Sequence, residues 1–126
     1  MTKVIISEDC GNSPKNIFVQ QLTIAFAKGD LEFLLKNMSD NIRWNRVGDQ
    51  VIEGRDRFAA LLEDRKKKPV AELSIHHIAT HGKAGAVDGI LKFKNGKTCA
   101  FCDVYEFGNS KGTSVAEIIS YVIEIE

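Results

Sequence analysis

The stretch Val70–Phe107, VAELSIHHIATHGKAGAVDGILKFKNGKTCAFCDVYEF, decides what kind of domain this chain builds. Two short breaks divide it. Gly82-Lys83 is one, and Asn95-Gly96, a strong two-residue hairpin signal, is the other. Between and around them lie three long segments, Val70–His81, Ala84–Lys94 and Lys97–Phe107. Segments of this kind joined by tight turns predict antiparallel strands laid side by side. Beyond the loop Gly108–Gly112, Thr113–Ile125 reads as a fourth strand.

Upstream of this stretch the texture is helical. Ser13-Pro14 suits an N-cap followed by a first helical position, and Ile17, Phe18, Leu22, Ile24, Ala25 and Phe26 form a nearly one-sided stripe behind it. Lys28-Gly29-Asp30 closes that helix and opens the next, with Gly29 as a left-handed cap and Asp30 as a new N-cap. The second helix runs from Leu31 to about Met38. Ile42–Val47 then alternates like a strand, Gly48-Asp49 turns, and Gln50–Glu53 returns. After Gly54 a third helix over Arg55–Lys68 turns Phe58, Leu61 and Leu62 inward and stops before Pro69. Helices first and long antiparallel strands after them predict an α+β domain with the helices packed on one sheet face.

A chain of 126 residues is one domain able to bury its own core. Seventeen Lys and Arg balance seventeen Asp and Glu, which argues against nucleic acid or an anionic membrane as partner. The dense basic run Arg65-Lys66-Lys67-Lys68 is expected as a solvated helix end, where cations suit the dipole, with a phosphate site as the alternative. No apolar run approaches the ~20 residues that span a bilayer. Met1–Asp9 lacks the apolar core of a signal peptide, and three cysteines make an odd number, so a cytoplasmic protein with free thiols is expected.

Two features of the third strand compete for a chemical role. Cys99 and Cys102 form a CxxC, but three residues apart on a strand they point to opposite faces. They therefore cannot share one metal or close an easy disulfide, and buried, inert thiols are expected. Asp103 falls on the same face as Phe101, Tyr105 and Phe107. An aspartate among aromatics must be hydrogen-bonded, paired with a cation, or held protonated. In the last state a carboxyl group can donate to a developing oxyanion. The alternative is a structural aspartate bonded to Trp44, a histidine or a backbone amide.

Alternation along LSIHHIATH places Leu73, Ile75, His77 and Ala79 on one face, so His77 is expected inward beside Asp103 and His76 outward. Trp44, the only tryptophan, needs an acceptor for its indole N–H if buried. Asp88 is expected on the outer face. In the last strand Ile118, Ser120 and Val122 alternate with Ile119, Tyr121 and Ile123, so both faces are rich in apolar residues and the outer one calls for a cover, most simply a second copy.

The order of elements, together with KGDLEFLL joining two helices, IRWNRVG, EGRDRFAALL and DVYEF, resembles the NTF2-like superfamily over roughly residues 14 to 125. Within it the sequence is most similar to SnoaL-like and ketosteroid-isomerase-like proteins. The resemblance implies an NTF2-like cone: three N-terminal helices on a curved, mainly antiparallel sheet, a pocket at the open end, and frequent dimers. It places Asp103 where ketosteroid isomerases keep a proton-donating acid. The matching general-base position holds Asn45 or Arg46, and the matching tyrosine position holds Leu22, so steroid-type isomerisation is not expected. What is expected is a pocket for a small apolar organic ligand, without cofactor or metal. Asp103 and His77 are its candidate acid–base groups, and Trp44, Tyr105 and Ser120 its walls. A non-catalytic ligand-binding or dimeric interaction module is the alternative, since this fold hosts both.

Overall fold

The computed structural model describes residues 2–108 and 114–125. Helix α1 spans Pro14–Lys28. Ser13 accepts a hydrogen bond from the Asn16 backbone N–H, and Gly29 ends the helix at φ 73°, the left-handed conformation that a side chain disfavours. Asp30 then caps α2, Leu31–Lys36, through the Phe33 N–H. Helix α3 covers Arg55–Arg65. The strands are β1 Lys3–Ile6, β2 Met38–Arg46, β3 Val51–Glu53, β4 Val70–His81, β5 Ala84–Phe93, β6 Thr98–Phe107 and β7 Val115–Ile125. The residues expected to form the loop before β7, and Thr113, lie outside the described residues apart from Gly108.

All seven strands join one curved sheet in the order β1-β4-β5-β6-β7-β2-β3. The α+β class holds, but two details of the expected layout change. The helices do not all precede the sheet, because β1 comes before α1 and the β2–β3 hairpin lies between α2 and α3. The sheet is also mixed, since β1 runs parallel to β4 and β2 runs parallel to β7. Both parallel pairings join segments far apart in sequence, and no local turn announces them. Helix α2 stops two residues early, where the Asn37 N–H folds back onto the Leu34 and Leu35 carbonyls and frees Met38 to start β2.

The helices lie on one face of the sheet and close a core of Val19, Leu22, Phe58, Leu73, Tyr105 and Ile118, all essentially without solvent contact. One irregularity in β4 matters for the site. Ile75 pairs with Gly89 and His77 with Asp88, so His76 is an extra residue in the ladder. Leu73 and Ile75 are buried, both histidines that follow are exposed, and Ile78 is buried again. No helix among the described residues is long and apolar enough to cross a membrane.

Candidate functional site

Between α1, α3 and the inner sheet face the side chains leave a cavity of about 600 Å³. Phe26 and Ala27 of α1, Leu61 of α3, and Leu73 and Phe101 of the sheet give it apolar walls. Asp103 lines it from β6, where strand alternation sets it between the buried Phe101 and Tyr105. Its strand neighbours across the ladder are Val87 of β5 and Ser120 of β7. The Asp103 side chain keeps some exposure, and the space it meets is the cavity it lines. Burial pushes its carboxyl pKa from the ordinary 3.8 up to about 6, against the adjacent Ser120 hydroxyl and the charge of Arg65, which both pull it down.

Ser120 also accepts a hydrogen bond from Trp44. The indole Nε1–H of the buried Trp44 donates to Ser120 Oγ at 2.9 Å. That contact uses an oxygen lone pair and leaves the serine proton free to turn toward Asp103, its cross-strand neighbour. Trp44 is fixed in turn by Phe26 and Phe58, with ring centroids 5.4 and 5.3 Å away. A chain of contacts thus runs from the aromatic core through Trp44 and Ser120 to Asp103. Trp44 and Ser120 line the cavity, as the sequence suggested.

Two arginines complete the wall. The Arg46 guanidinium lies over the Trp44 ring at 5.5 Å and the Arg65 guanidinium at 5.6 Å. Arg46 is held by an ion pair to Asp49 at 3.1 Å. Arg65 has no such partner among the described residues; burial, and then the charge of Arg46, lower its pKa, while Asp103 and Tyr105 oppose. Of the two residues at the position of an isomerase base, Arg46 faces the cavity, and Asn45, one residue earlier on the strand, faces away from it. Leu22 is a core residue without solvent contact.

Two expected site residues are placed elsewhere. His77 is not inward. Its side chain is 68% exposed on the outer sheet face, with Nδ1 3.0 Å from Asp88 Oδ1. The extra residue at His76 reverses the alternation from which the inward orientation was read, so His77 and Asp103 lie on opposite faces. Tyr105 is not a wall residue but lies behind the wall, fully buried. Thr23 comes near its hydroxyl but donates to the Val19 carbonyl, and the Tyr105 hydroxyl has no partner in hydrogen-bonding geometry. Burial, then the charge of Asp103, raises its pKa.

Cys99 and Cys102 are free and sit on opposite faces. Both are half-buried rather than buried, because each lies on a strand face that no helix fully covers, and burial still raises both thiol pKa values. Cys10 is the fully buried thiol. Among the described residues no three His, Cys, Asp or Glu side chains gather as metal ligands.

Sequence reasoning named Arg65 only within a basic run and Arg46 only where a general base was missing, and gave neither a place in the cavity wall. The signal for each was present. Arg65 stands seven residues after Phe58, four after Leu61 and three after Leu62, on the helix stripe that turns inward. Arg46 stands two after Trp44, on the same strand face.

A family model described as the SnoaL-like domain matches residues 19–115. Among solved structures, an NTF2-like protein of unknown function from Cytophaga hutchinsonii is 22% identical, with 85% of this chain and 97% of that chain covered and a TM-score of 0.68. The epoxide hydrolase/cyclase-like enzyme SalBIII, with a role in pyran ring formation in the polyether salinomycin, is 17% identical, with coverage of 86% and 90% and a TM-score of 0.72. An LEH-like epoxide hydrolase of M. tuberculosis is 22% identical, with coverage of 83% and 79% and a TM-score of 0.68. At these identities the likeness extends to the fold alone. A comparison with curated proteins found no match.

Proposed function

The chain belongs to the SnoaL-like domain family, and from that premise and the cavity geometry we propose that it binds a small, mainly apolar organic molecule and moves a proton on it without a cofactor. The observation that carries this reading is Asp103, a carboxyl group set between apolar side chains on the inner sheet wall of the cavity with its pKa raised to about 6. A group poised there is mostly ionised at neutral pH yet takes up a proton readily, which suits a general base that becomes the acid of the following step. In the simplest cycle the Asp103 carboxylate removes a proton from carbon next to a carbonyl. The electron pair moves to the carbonyl oxygen as an enolate, and the protonated Asp103 returns the proton to another carbon. The result is isomerisation when the substrate is a β,γ-unsaturated ketone, whose dienolate accepts the proton at its far carbon. Dehydration follows when that proton instead goes to a β-hydroxyl that leaves as water, and cyclisation when the enolate carbon attacks a second carbonyl carbon of the same molecule and the new alkoxide takes the proton. Epoxide opening, in the names of two neighbours, makes the same demand for a proton beside an oxygen.

A non-catalytic binding module is favoured by one observation: Arg46 lines the cavity in the segment where the resemblance to ketosteroid isomerases implies a carboxylate base. The two readings separate experimentally. Carbon-detected NMR of the Asp103 carboxyl, assigned with Asp103→Asn, is expected to titrate near pH 6. A midpoint near the ordinary value of ~3.9 overturns the proton-carrier role. Exchange of α-hydrogens of small ketones in D₂O is expected to be faster with the wild type than with Asp103→Asn. Equal rates support the binding module.

A further inference from the structure

The cavity has a charged feature that its apolar walls do not explain. Arg65 leaves the last turn of α3 and enters the wall, whereas its neighbours Lys66 and Lys67 pair with Glu63 and Asp64 on the helix surface. The other arginine of the site, Arg46, is neutralised by Asp49. Among the described residues, no carboxylate comes within ion-pair distance of Arg65, and none of its N–H groups finds a hydrogen-bond acceptor. Arg65 is half-buried, so its guanidinium meets the space of the cavity it lines, and a partly desolvated cation there gains from an anionic partner. Asp103 is near enough for the two charges to interact, yet the helix and the sheet hold them beyond ion-pair contact on different walls of the same cavity.

Stacking explains how Arg65 is held and what it offers. Its guanidinium lies over the face of Trp44, a contact that uses the flat face of the group. The five N–H donors radiate in the plane of the fork and remain free, in the geometry that matches a carboxylate with two parallel hydrogen bonds. A second hollow of about 380 Å³ adjoins the cavity and shares Arg65 with it. Lys28, Lys66, Lys68 and Lys94 line it, with no Asp or Glu. In a chain of zero net charge this local excess draws anions toward Arg65.

We propose that the ligand of this cavity is an organic monocarboxylic acid, its carboxylate held by Arg65, its apolar body along Trp44, Phe26 and Phe101, and its reacting carbon turned to Asp103. The proposal rests on the pocket reading above and adds the substrate class. A single carboxylate is preferred to a phosphate because Arg65 is the one guanidinium of the lining without an ion-pair partner among the described residues, and a dianion would be repelled more strongly by Asp64 and Asp103, which line the same cavity.

Trp44, the only tryptophan, reports binding through its own fluorescence. The probes are 3-phenylpropanoate and octanoate, each paired with its uncharged amide. The expected result is saturable change with both acids and at least tenfold weaker binding of both amides. Arg65→Gln is expected to remove that preference by weakening the acids alone, and Arg65→Lys to keep part of it. Equal affinity for acids and amides, no binding of either, or an undiminished preference in Arg65→Gln overturns the proposal. If Arg65→Gln does not fold, the wild-type comparison and Arg65→Lys decide. Asp103→Asn is expected to bind the acids at least as tightly as wild type. Acid binding that persists while Asp103 titrates near ~3.9 would refute the proton-carrier role and leave the carboxylate site standing.

Discussion

Asp103 is a residue whose environment works against its charge, and the consequence for stability has a definite sign. Its pKa rises from 3.8 to about 6 on folding, so the folded state binds the proton more tightly than the unfolded one. The stability this group contributes is complete below pH 3.8 and is lost as the pH rises through about 6. The gap corresponds to about 3 kcal/mol. Asp103→Asn should therefore be more stable than wild type at pH 7.5, by about 1–3 kcal/mol, with the difference shrinking toward pH 4.5. Urea unfolding at the two pH values checks this, and parallel curves for the two proteins would refute it. The neighbouring Ser120 hydroxyl opposes that rise in pKa. Ser120→Ala should raise the Asp103 pKa above its wild-type value, read by the same NMR titration. It also leaves the buried Trp44 N–H without its acceptor, a loss of about 1–3 kcal/mol.

At the scale of elements, β4 and β5 show where strand alternation stops being a reliable guide. Residues Val70–His81 were recognisable as one strand, and its bounds are as expected. The single extra residue at His76 was not, because a bulge leaves the run of strand-forming residues intact and shows only in the partner's register. His77 was misplaced for that reason. Gly89 stands opposite Ile75, beside the bulge, and a Cβ there would overlap the Ser74 carbonyl oxygen and press on Phe101. Gly89→Ala must push two backbones apart, and a loss of at least about 1–3 kcal/mol is expected in chemical denaturation. An unchanged midpoint would mean that β4 adjusts freely at this point. Helix α3 teaches the complementary lesson. A basic run looks solvated when counted as composition, but Arg65 falls on the inward stripe of the helix while Lys66 and Lys67, the next two residues, do not line the cavity.

For the whole molecule, the outer sheet face is the surface still to be accounted for. Tyr121 and Ile123 of β7 are 47% and 66% exposed on it, beside Cys102 and Ala100 of β6. We propose that a second copy of the chain covers this face. Light scattering is expected to give the mass of two chains for wild type and of one for Ile123→Glu, and a wild-type mass of one chain would refute the pairing. The amino-acid sequence by itself determined the helices, the four long strands, the inward aromatic face of β6 and the place of Asp103 on it. Those features follow from local periodicity, caps and turns, which act over a few residues. Only the tertiary structure decided the parallel partners of β1 and β2, the side taken by His77, the withdrawal of Tyr105 behind the wall, and the meeting of Arg46, Arg65, Trp44 and Ser120 around one carboxylate. Each of these depends on register and packing between segments far apart in the chain, and local periodicity does not encode them.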